Sequence, residues 1–219
     1  MEKKEKKAFF GGSFDPPHCG HLGVARAALN SGKCSQVVWF PAADPPHKLN
    51  ARRASFADRM QMVQIMIAGE KNMAVSDFEA TAGLHPSYTC KILEKLEKDT
   101  GVRYMLLIGA DSLLSLHTWF DAKKLAADTD FITYPRPGSE VTMDKLLQHW
   151  DRKTAEKLMN SMIDGTFFEI SSSEMKNSME KNTFRHHIIH EQGTMPGVVE
   201  YIRKRGLYEK SDITGKEIL

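Results

Sequence analysis

The chain has 219 residues, 41% of them hydrophobic, which is enough apolar content to form one core in a single globular unit. Its 30 Lys and Arg residues nearly balance 28 Asp and Glu residues, and the net charge of +2 gives no electrostatic reason to expect a nucleic-acid or membrane-surface protein. Three cysteines in no paired pattern and no long apolar segment favour a cytoplasmic protein with reduced thiols.

Short apolar runs recur along the chain and predict strands. They lie at residues 8–10, 37–40, 73–75, 104–108, 131–133 and 167–170. Because these runs are continuous rather than alternating, they indicate strands buried on both faces. Segments with a helical period separate them, and alternating strands and helices predict an α/β fold with a parallel sheet.

Two of the intervening segments show clear helical faces. Leu22, Ala25 and Leu29 share one face of the first helix. In the second helix the shared face is predicted to comprise Phe56, Met60, Val63 and Ile67.

The sequence predicts one domain over residues 8–208, with a flexible N-terminal end at 1–7 and a C-terminal tail at 209–219. Residues 135–165 break the alternation with a long polar helical stretch, which we interpret as a helical insertion.

The stretch "GGSFDPPHCGHLG" at residues 11–23 follows the first predicted strand. Gly11 and Gly12 let the backbone approach a ligand closely, and the helix that follows presents free N–H groups to an anion. His18 and His21 are three residues apart, so both rings can face that anion. A phosphate site is predicted, and a simple helix-capping turn is the alternative; the spacing matches neither a Walker loop nor GxGxxG.

A second anion site is predicted in "EISSSEMK" at residues 169–176. Ser171 and Glu174 form a capping box, which alone could explain the motif. Three consecutive serines exceed the needs of one cap, however, and Lys176 lies within reach of an anion at the helix N-terminus.

Together with "PPHK" at 45–48, "SYT" at 87–89 and "GADS" at 109–112, these motifs resemble those of the nicotinate mononucleotide adenylyltransferases, in the nucleotidylyltransferase superfamily. The resemblance implies a Rossmann-like fold with helices on both faces of the sheet. It also implies transfer of AMP from ATP to nicotinate mononucleotide, forming nicotinic acid adenine dinucleotide and pyrophosphate in NAD biosynthesis. The implied cofactor is Mg²⁺, bound mainly through the ATP phosphates.

The resemblance assigns catalytic roles to His18 and His21 at the reacting phosphate and to Lys176 at the β and γ phosphates. The ATP-binding residues implied are Gly11, Gly12, Ser13, Phe14, His18, His21, Gly109, Asp111, Ser172, Ser173 and Lys176. Two positions depart from the usual pattern: Lys176 replaces an arginine and Ser173 a threonine. Lysine supplies charge but not a bidentate fork.

The acceptor-binding residues expected are His47, Lys48, Ser87, Tyr88, Thr89, Trp119 and Arg136. His47 and Lys48 could meet the acceptor phosphate. The helix start at Ser87–Thr89 could hold the nicotinate carboxylate, and Trp119 could offer a flat face to the pyridine ring. A polar loop, an ordinary core Trp and a surface Arg136 are the alternatives.

Nicotinamide mononucleotide and phosphopantetheine are alternative acceptors, and a nucleotide-binding sensor without turnover is an alternative of another class. A metal site at His186, His187 and His190 is not predicted, because no third ligand of suitable spacing is evident. No nucleic-acid or membrane partner is expected, and the sequence leaves a homo-oligomer open.

Overall fold

The computed structural model describes residues 6–43, 53–165 and 195–208 of the chain. Its strands are β1 (Lys7–Gly12), β2 (Gln36–Pro41), β3 (Met73–Val75), β4 (Tyr104–Gly109) and β5 (Phe131–Tyr134). Its α-helices are α1 (Cys19–Asn30), α2 (Phe56–Met66), α3 (Phe78–Thr81), α4 (Thr89–Thr100), α5 (Ala110–Ser115), α6 (Ala122–Asp128), α7 (Met143–Leu147), α8 (Arg152–Met159) and α9 (Pro196–Arg205). A 3₁₀ turn at Leu116–Thr118 follows α5.

The five strands form one parallel sheet in the order β3-β2-β1-β4-β5. The chain builds the sheet outward from β1 in one direction and then, from β4, in the other. Ligands of such open sheets bind at the carboxyl ends of the strands where this direction reverses, which here is between β1 and β4. The predicted Rossmann-like α/β fold is confirmed.

Both faces of the sheet are covered, as the continuous apolar runs predicted. Phe10 and Leu107 point into one core cluster, while their neighbours Phe9 and Leu106 point into the other. All four side chains are buried. The first cluster includes buried residues of α1, α2 and α9, and the second includes those of α4 to α8.

Helix α2 buries a different line of residues from the one predicted. Val63 and Ile67 are buried as expected, but Phe56 and Met60 are only half-buried. The fully buried line includes a charged residue and follows the spacing i, i+3, i+4, i+7. It consists of Arg59, Met62, Val63 and Met66. The predicted face was wrong in part because the prediction placed only apolar residues in the core and so left out Arg59.

Residues 135–165 contain two short helices, α7 and α8, rather than one long helical stretch. Their apolar side chains Leu146, Trp150, Ala155 and Leu158 join the second core cluster. Beyond α8, the Ile163 N–H donates to the Thr133 carbonyl oxygen of β5 at 3.0 Å, so this part of the chain continues the sheet edge. The predicted strand at 167–170 and the tail at 209–219 lie outside the described residues. Within the described ranges, no helix is both long and apolar enough to cross a membrane.

Candidate active site

The carboxyl ends of β1, β4 and β5 bring three predicted site segments to one edge of the sheet. His18 and His21 follow β1, Asp111 follows β4, and Arg136 follows β5. The Arg136 Nε lies 3.2 Å from the Asp111 Oδ1, and Arg136 is close enough to His21 to lower its pKa. The structure therefore joins these residues into one site.

The two histidines form a compact pair at the start of α1. His18 is the N-cap residue and His21 is the third helical residue, with ring centroids 3.7 Å apart. The backbone N–H of His18 donates to the His21 Nδ1 at 3.2 Å. This bond fixes the ring of His21, in the way that a capping box fixes a Glu or Gln at the same position.

The His21 imidazole is held neutral. Although His21 keeps some surface exposed, close packing lowers its pKa well below the ordinary 6.5, and the charges of His18 and Arg136 lower it further. Because Nδ1 accepts a hydrogen bond, the proton of the neutral ring is on Nε2. His21 thus offers an Nε2–H donor that needs no protonation at neutral pH.

Phe14 supports the histidine pair from below. Its ring is 1% exposed and meets the His21 ring edge-on, at 5.1 Å between centroids. A Cβ at Gly12 would lie 2.9 Å from the Phe14 ring, so the glycine is needed for this packing. Since its side chain is in the core, only the backbone of Phe14 could contact a nucleotide as predicted.

Two buried charged residues that the sequence analysis did not assign hold this loop from behind. The Asp15 Oδ1 accepts hydrogen bonds from the Tyr208 hydroxyl at 2.6 Å and from the Ala54 N–H at 3.1 Å. The Arg59 guanidinium donates to the Ser13 carbonyl oxygen at 2.8 Å. Arg59 could have been found from its i, i+3, i+4, i+7 spacing with Met62, Val63 and Met66, whereas nothing local to Asp15 indicates its distant partner.

Gly109 lets Asp111 and Arg136 come together beside the backbone. A Cβ at Gly109 would lie 2.6 Å from the Arg136 Nε and would also clash with the Asp111 carboxylate. The side chains of both partners are about half exposed, so this ion pair lies at the surface.

The predicted acceptor segments at 87–89 and at Trp119 also meet. Helix α4 begins at Thr89, as expected, and Tyr88 stacks on Phe120 with 4.2 Å between ring centroids. Trp119 is half-buried against the second core cluster. Phe120, which was not assigned from sequence, is therefore part of this group; an exposed aromatic next to Trp119 is the signal that could have indicated it.

Ser87 is engaged within the protein. Its hydroxyl donates to the Glu79 Oε1 at 2.8 Å, and burial raises the pKa of the Glu79 carboxyl. The nearby backbone N–H of Ala43 opposes this rise in pKa, so the carboxylate lies between the chain before α4 and the chain after β2.

Several predicted residues lie outside the described part of the chain. These are His47, Lys48, Ser172, Ser173 and Lys176, together with Ser171, Glu174, His186, His187 and His190. Their assignments stay predictions.

The chain is similar to known proteins over most of its length. A family model described as "Cytidylyltransferase-like" matches residues 9–178. A protein of Gloeobacter violaceus named "Probable nicotinate-nucleotide adenylyltransferase" is 36% identical over 216 residues, covering 94% of this chain and 97% of its own. One of the same name from Caldicellulosiruptor bescii is 30% identical over 205 residues, covering 94% of this chain and all of its own.

Solved structures share the fold at lower identity. A Plasmodium falciparum nicotinic acid mononucleotide adenylyltransferase complexed with NaAD superposes with a TM-score of 0.72 at 19% identity, covering 93% of this chain and 97% of that one. The same enzyme complexed with APC gives 0.70 at 18% identity, with the same coverage. The extent and identity of the sequence matches show that the chain belongs to the cytidylyltransferase-like family and, within it, to the nicotinate-nucleotide adenylyltransferases.

Proposed function

We propose that the chain transfers AMP from ATP to nicotinate mononucleotide, giving nicotinic acid adenine dinucleotide and pyrophosphate. The observation that carries this proposal is the histidine pair at the switch point of the sheet, where the ring of His21 is fixed and neutral. The family membership supports the same reaction.

The attacking group is the phosphate of the acceptor, which is already ionised at neutral pH and needs no general base. The protein must bring two anions together and stabilise the charge that develops at the α-phosphate of ATP. His18 and the Nε2–H of His21 would donate to this phosphate, and the free N–H groups at the start of α1 would add to their effect. Donors fixed before substrate arrives need no rearrangement during the reaction.

Arg136 would contribute positive charge on the other side of the reacting phosphate. It is placed for this by its ion pair with Asp111 and by its proximity to His21. By the resemblance, Lys176 and the serines at 172 and 173 would hold the β and γ phosphates, and His47 and Lys48 the acceptor phosphate.

The aromatic group formed by Tyr88, Trp119 and Phe120 would receive the nicotinate ring. The first turn of α4, which begins at Thr89, offers backbone N–H groups to its carboxylate. Nicotinamide carries no such charge, so this site favours the nicotinate acceptor.

A Mg²⁺ ion would be held mainly by the ATP phosphates and water. Among residues 6–43, 53–165 and 195–208, no three His, Cys, Asp or Glu side chains group into a metal site. A Mg²⁺ ion that takes its ligands mainly from phosphates and water needs no such group. When bound, it neutralises charge on the leaving pyrophosphate.

The test is pyrophosphate release from ATP with nicotinate mononucleotide, nicotinamide mononucleotide or phosphopantetheine as the acceptor. We expect preference for nicotinate mononucleotide, and a loss of about 10²–10³ in kcat for His18→Ala and His21→Ala. His149→Ala is the matched control, because His149 lies between α7 and α8, in no segment assigned to ATP or to the acceptor, and should leave kcat unchanged. Preference for another acceptor would refute the acceptor assignment, and ATP binding without release would favour the sensor.

A further inference from the structure

Arg59 of α2 lies between two loops that leave neighbouring strands. Its side chain is 1% exposed. Its Nη1 donates to the carbonyl oxygen of Ser13 at 2.8 Å and its Nη2 to that of Ala42 at 2.7 Å. Ser13 and Ala42 are the first residues after β1 and β2, so one guanidinium holds the carboxyl ends of two adjacent strands.

These two loops serve different substrates in the proposed reaction. The loop from Ser13 leads to His18 and His21 on the ATP side, and the Ala42 N–H joins it directly by donating to the Gly12 carbonyl oxygen at 2.9 Å. The backbone N–H of Ala43, the next residue, lies close enough to Glu79 to lower the pKa of its carboxyl, and Glu79 accepts a hydrogen bond from Ser87 at the acceptor side. Arg59 therefore lies between the chain segment assigned to ATP and the one that leads to the acceptor side.

The buried charge of Arg59 has a cost that an apolar side chain would avoid. Burial lowers the pKa of its guanidinium to about 10, although Asp15 and Glu79 oppose the shift. Its Nε has no hydrogen-bond partner among the residues that the structure describes. Replacing a buried charge by well-packed apolar residues is often neutral or stabilising, so stability alone gives little reason for an arginine here. What an apolar residue cannot supply is a planar fork that holds two carbonyl oxygens at a fixed separation.

We infer that Arg59 is a positioning residue that sets the distance between the reacting phosphate of ATP and the phosphate of the acceptor. The inference rests on the proposed function. In-line attack requires the reacting atoms to be about 3–3.5 Å apart, and a displacement of about 1 Å can reduce the rate about 100-fold. A change at Arg59 should therefore appear mainly in kcat.

The test replaces Arg59 by lysine, which keeps the positive charge but has no planar fork. We expect kcat of Arg59→Lys to fall about 10- to 100-fold, with both KM values within about 3-fold of the wild type. The matched control is Arg53→Lys, because the Arg53 Nη2 donates to the same Ala42 oxygen at 3.3 Å but, within the described part of the chain, makes no hydrogen bond to Ser13. Arg53→Lys should keep kcat within about 2-fold.

A binding measurement separates positioning from a loss of folded protein. Nicotinic acid adenine dinucleotide spans both sides of the site, whereas ATP alone occupies one. By calorimetry at a temperature where thermal unfolding shows the variant to be folded, Arg59→Lys should raise the Kd for the dinucleotide about 10-fold and the Kd for ATP less than about 2-fold. A purely structural role would lower the active fraction and leave both Kd values unchanged. If Arg59→Lys does not fold, Arg59→Gln is judged by the same two Kd values.

The outcomes distinguish the two proposals. Absence of turnover by the wild type with nicotinate mononucleotide refutes the proposed function, and the inference with it. An active wild type with an Arg59→Lys variant of equal kcat, or with equal losses in the Arg59 and Arg53 variants, overturns the inference alone.

Discussion

The two sides of the site differ in how firmly the protein holds them. The loop that follows β1, residues 12–18, is packed: Phe14, Asp15 and His18 are 1%, 6% and 6% exposed. We call two surface pairs the open side: the ion pair of Asp111 with Arg136 and the stacked rings of Tyr88 and Phe120, which are 38% and 48% exposed. The predicted site thus combines a packed loop with more accessible groups.

This difference follows the chemistry that each side would serve. Charge develops at the reacting phosphate, and donors stabilise it best when they are fixed in advance and shielded from water. A flat aromatic ring needs only an exposed face and room to enter. We therefore expect changes on the loop to alter stability and kcat together, and changes on the open side to alter substrate binding with little effect on stability.

The largest effect on stability is expected at Tyr208, which follows α9 and donates a hydrogen bond to the loop. Tyr208→Phe removes the hydroxyl that donates to Asp15, and a buried hydrogen bond to a carboxylate contributes about 1.5–3 kcal/mol. The free energy of unfolding, measured with urea, should fall by about 2 kcal/mol, and kcat should fall because the loop loses its clamp.

Tyr201→Phe is the matched control. Tyr201, a residue of α9, donates to Asp58 at 2.8 Å, but Asp58 also accepts from Ser55 and Arg205, and no hydrogen bond among the described residues joins it to the loop. This variant should lose about 1 kcal/mol and keep the wild-type kcat. Equal kcat values in the two variants would contradict a clamping role for Tyr208.

A smaller effect is expected from pH, through His21. The pKa of His21 is lowered in the native state, so below pH 6.5 the unfolded chain binds a proton that the native chain does not, and stability falls as the pH falls. Relative to His21→Gln, the wild type should lose up to about 1.4 kcal/mol of unfolding free energy per pH unit below pH 6.5 and nothing above it.

Thermal and urea unfolding of both proteins between pH 8 and pH 5 measures this difference. Parallel pH profiles of the wild type and His21→Gln would show that the pKa of native His21 is not lowered. The loop would then shield His21 from water no better than the open side shields its own groups.

The smallest effect on stability is expected at Arg136. Its ion pair with Asp111 is half exposed, and such pairs contribute about 0–1 kcal/mol. Arg136→Gln should therefore change the free energy of unfolding by less than about 1 kcal/mol while lowering kcat/KM about 10-fold.

Arg152→Gln provides the comparison, because Arg152 is an exposed arginine paired with Glu156 on α8. It should match Arg136→Gln in stability and the wild type in kcat/KM. A large loss of stability in Arg136→Gln would place Arg136 with the packed loop.

Much of the fold could be predicted because its signals are local. Runs such as Val37–Phe40 are continuously apolar because both faces of a parallel strand are buried, and five such runs form the five observed strands. The start of α1 just after His18 and that of α4 at Thr89 were likewise visible in short motifs.

The residues that support the site are harder to predict, because the partners that explain their burial are distant in sequence. A buried Arg59 interrupts the apolar pattern of α2, and its burial is explained only by carbonyl groups at Ser13 and Ala42, far away in sequence. Asp15 is part of the motif that follows β1, but its partner Tyr208 is brought to it only by tertiary packing. Local patterns indicate which groups meet the substrate, whereas long-range contacts determine how firmly those groups are held.

The bond between Asp15 and Tyr208 joins residues 193 positions apart, which has a consequence for biosynthesis. At roughly 5–20 residues per second, a ribosome reaches Tyr208 about 10–40 s after it has made Asp15. By then all five strands have already been translated. The five strands can therefore pair before Tyr208 is available to hold the loop that follows β1.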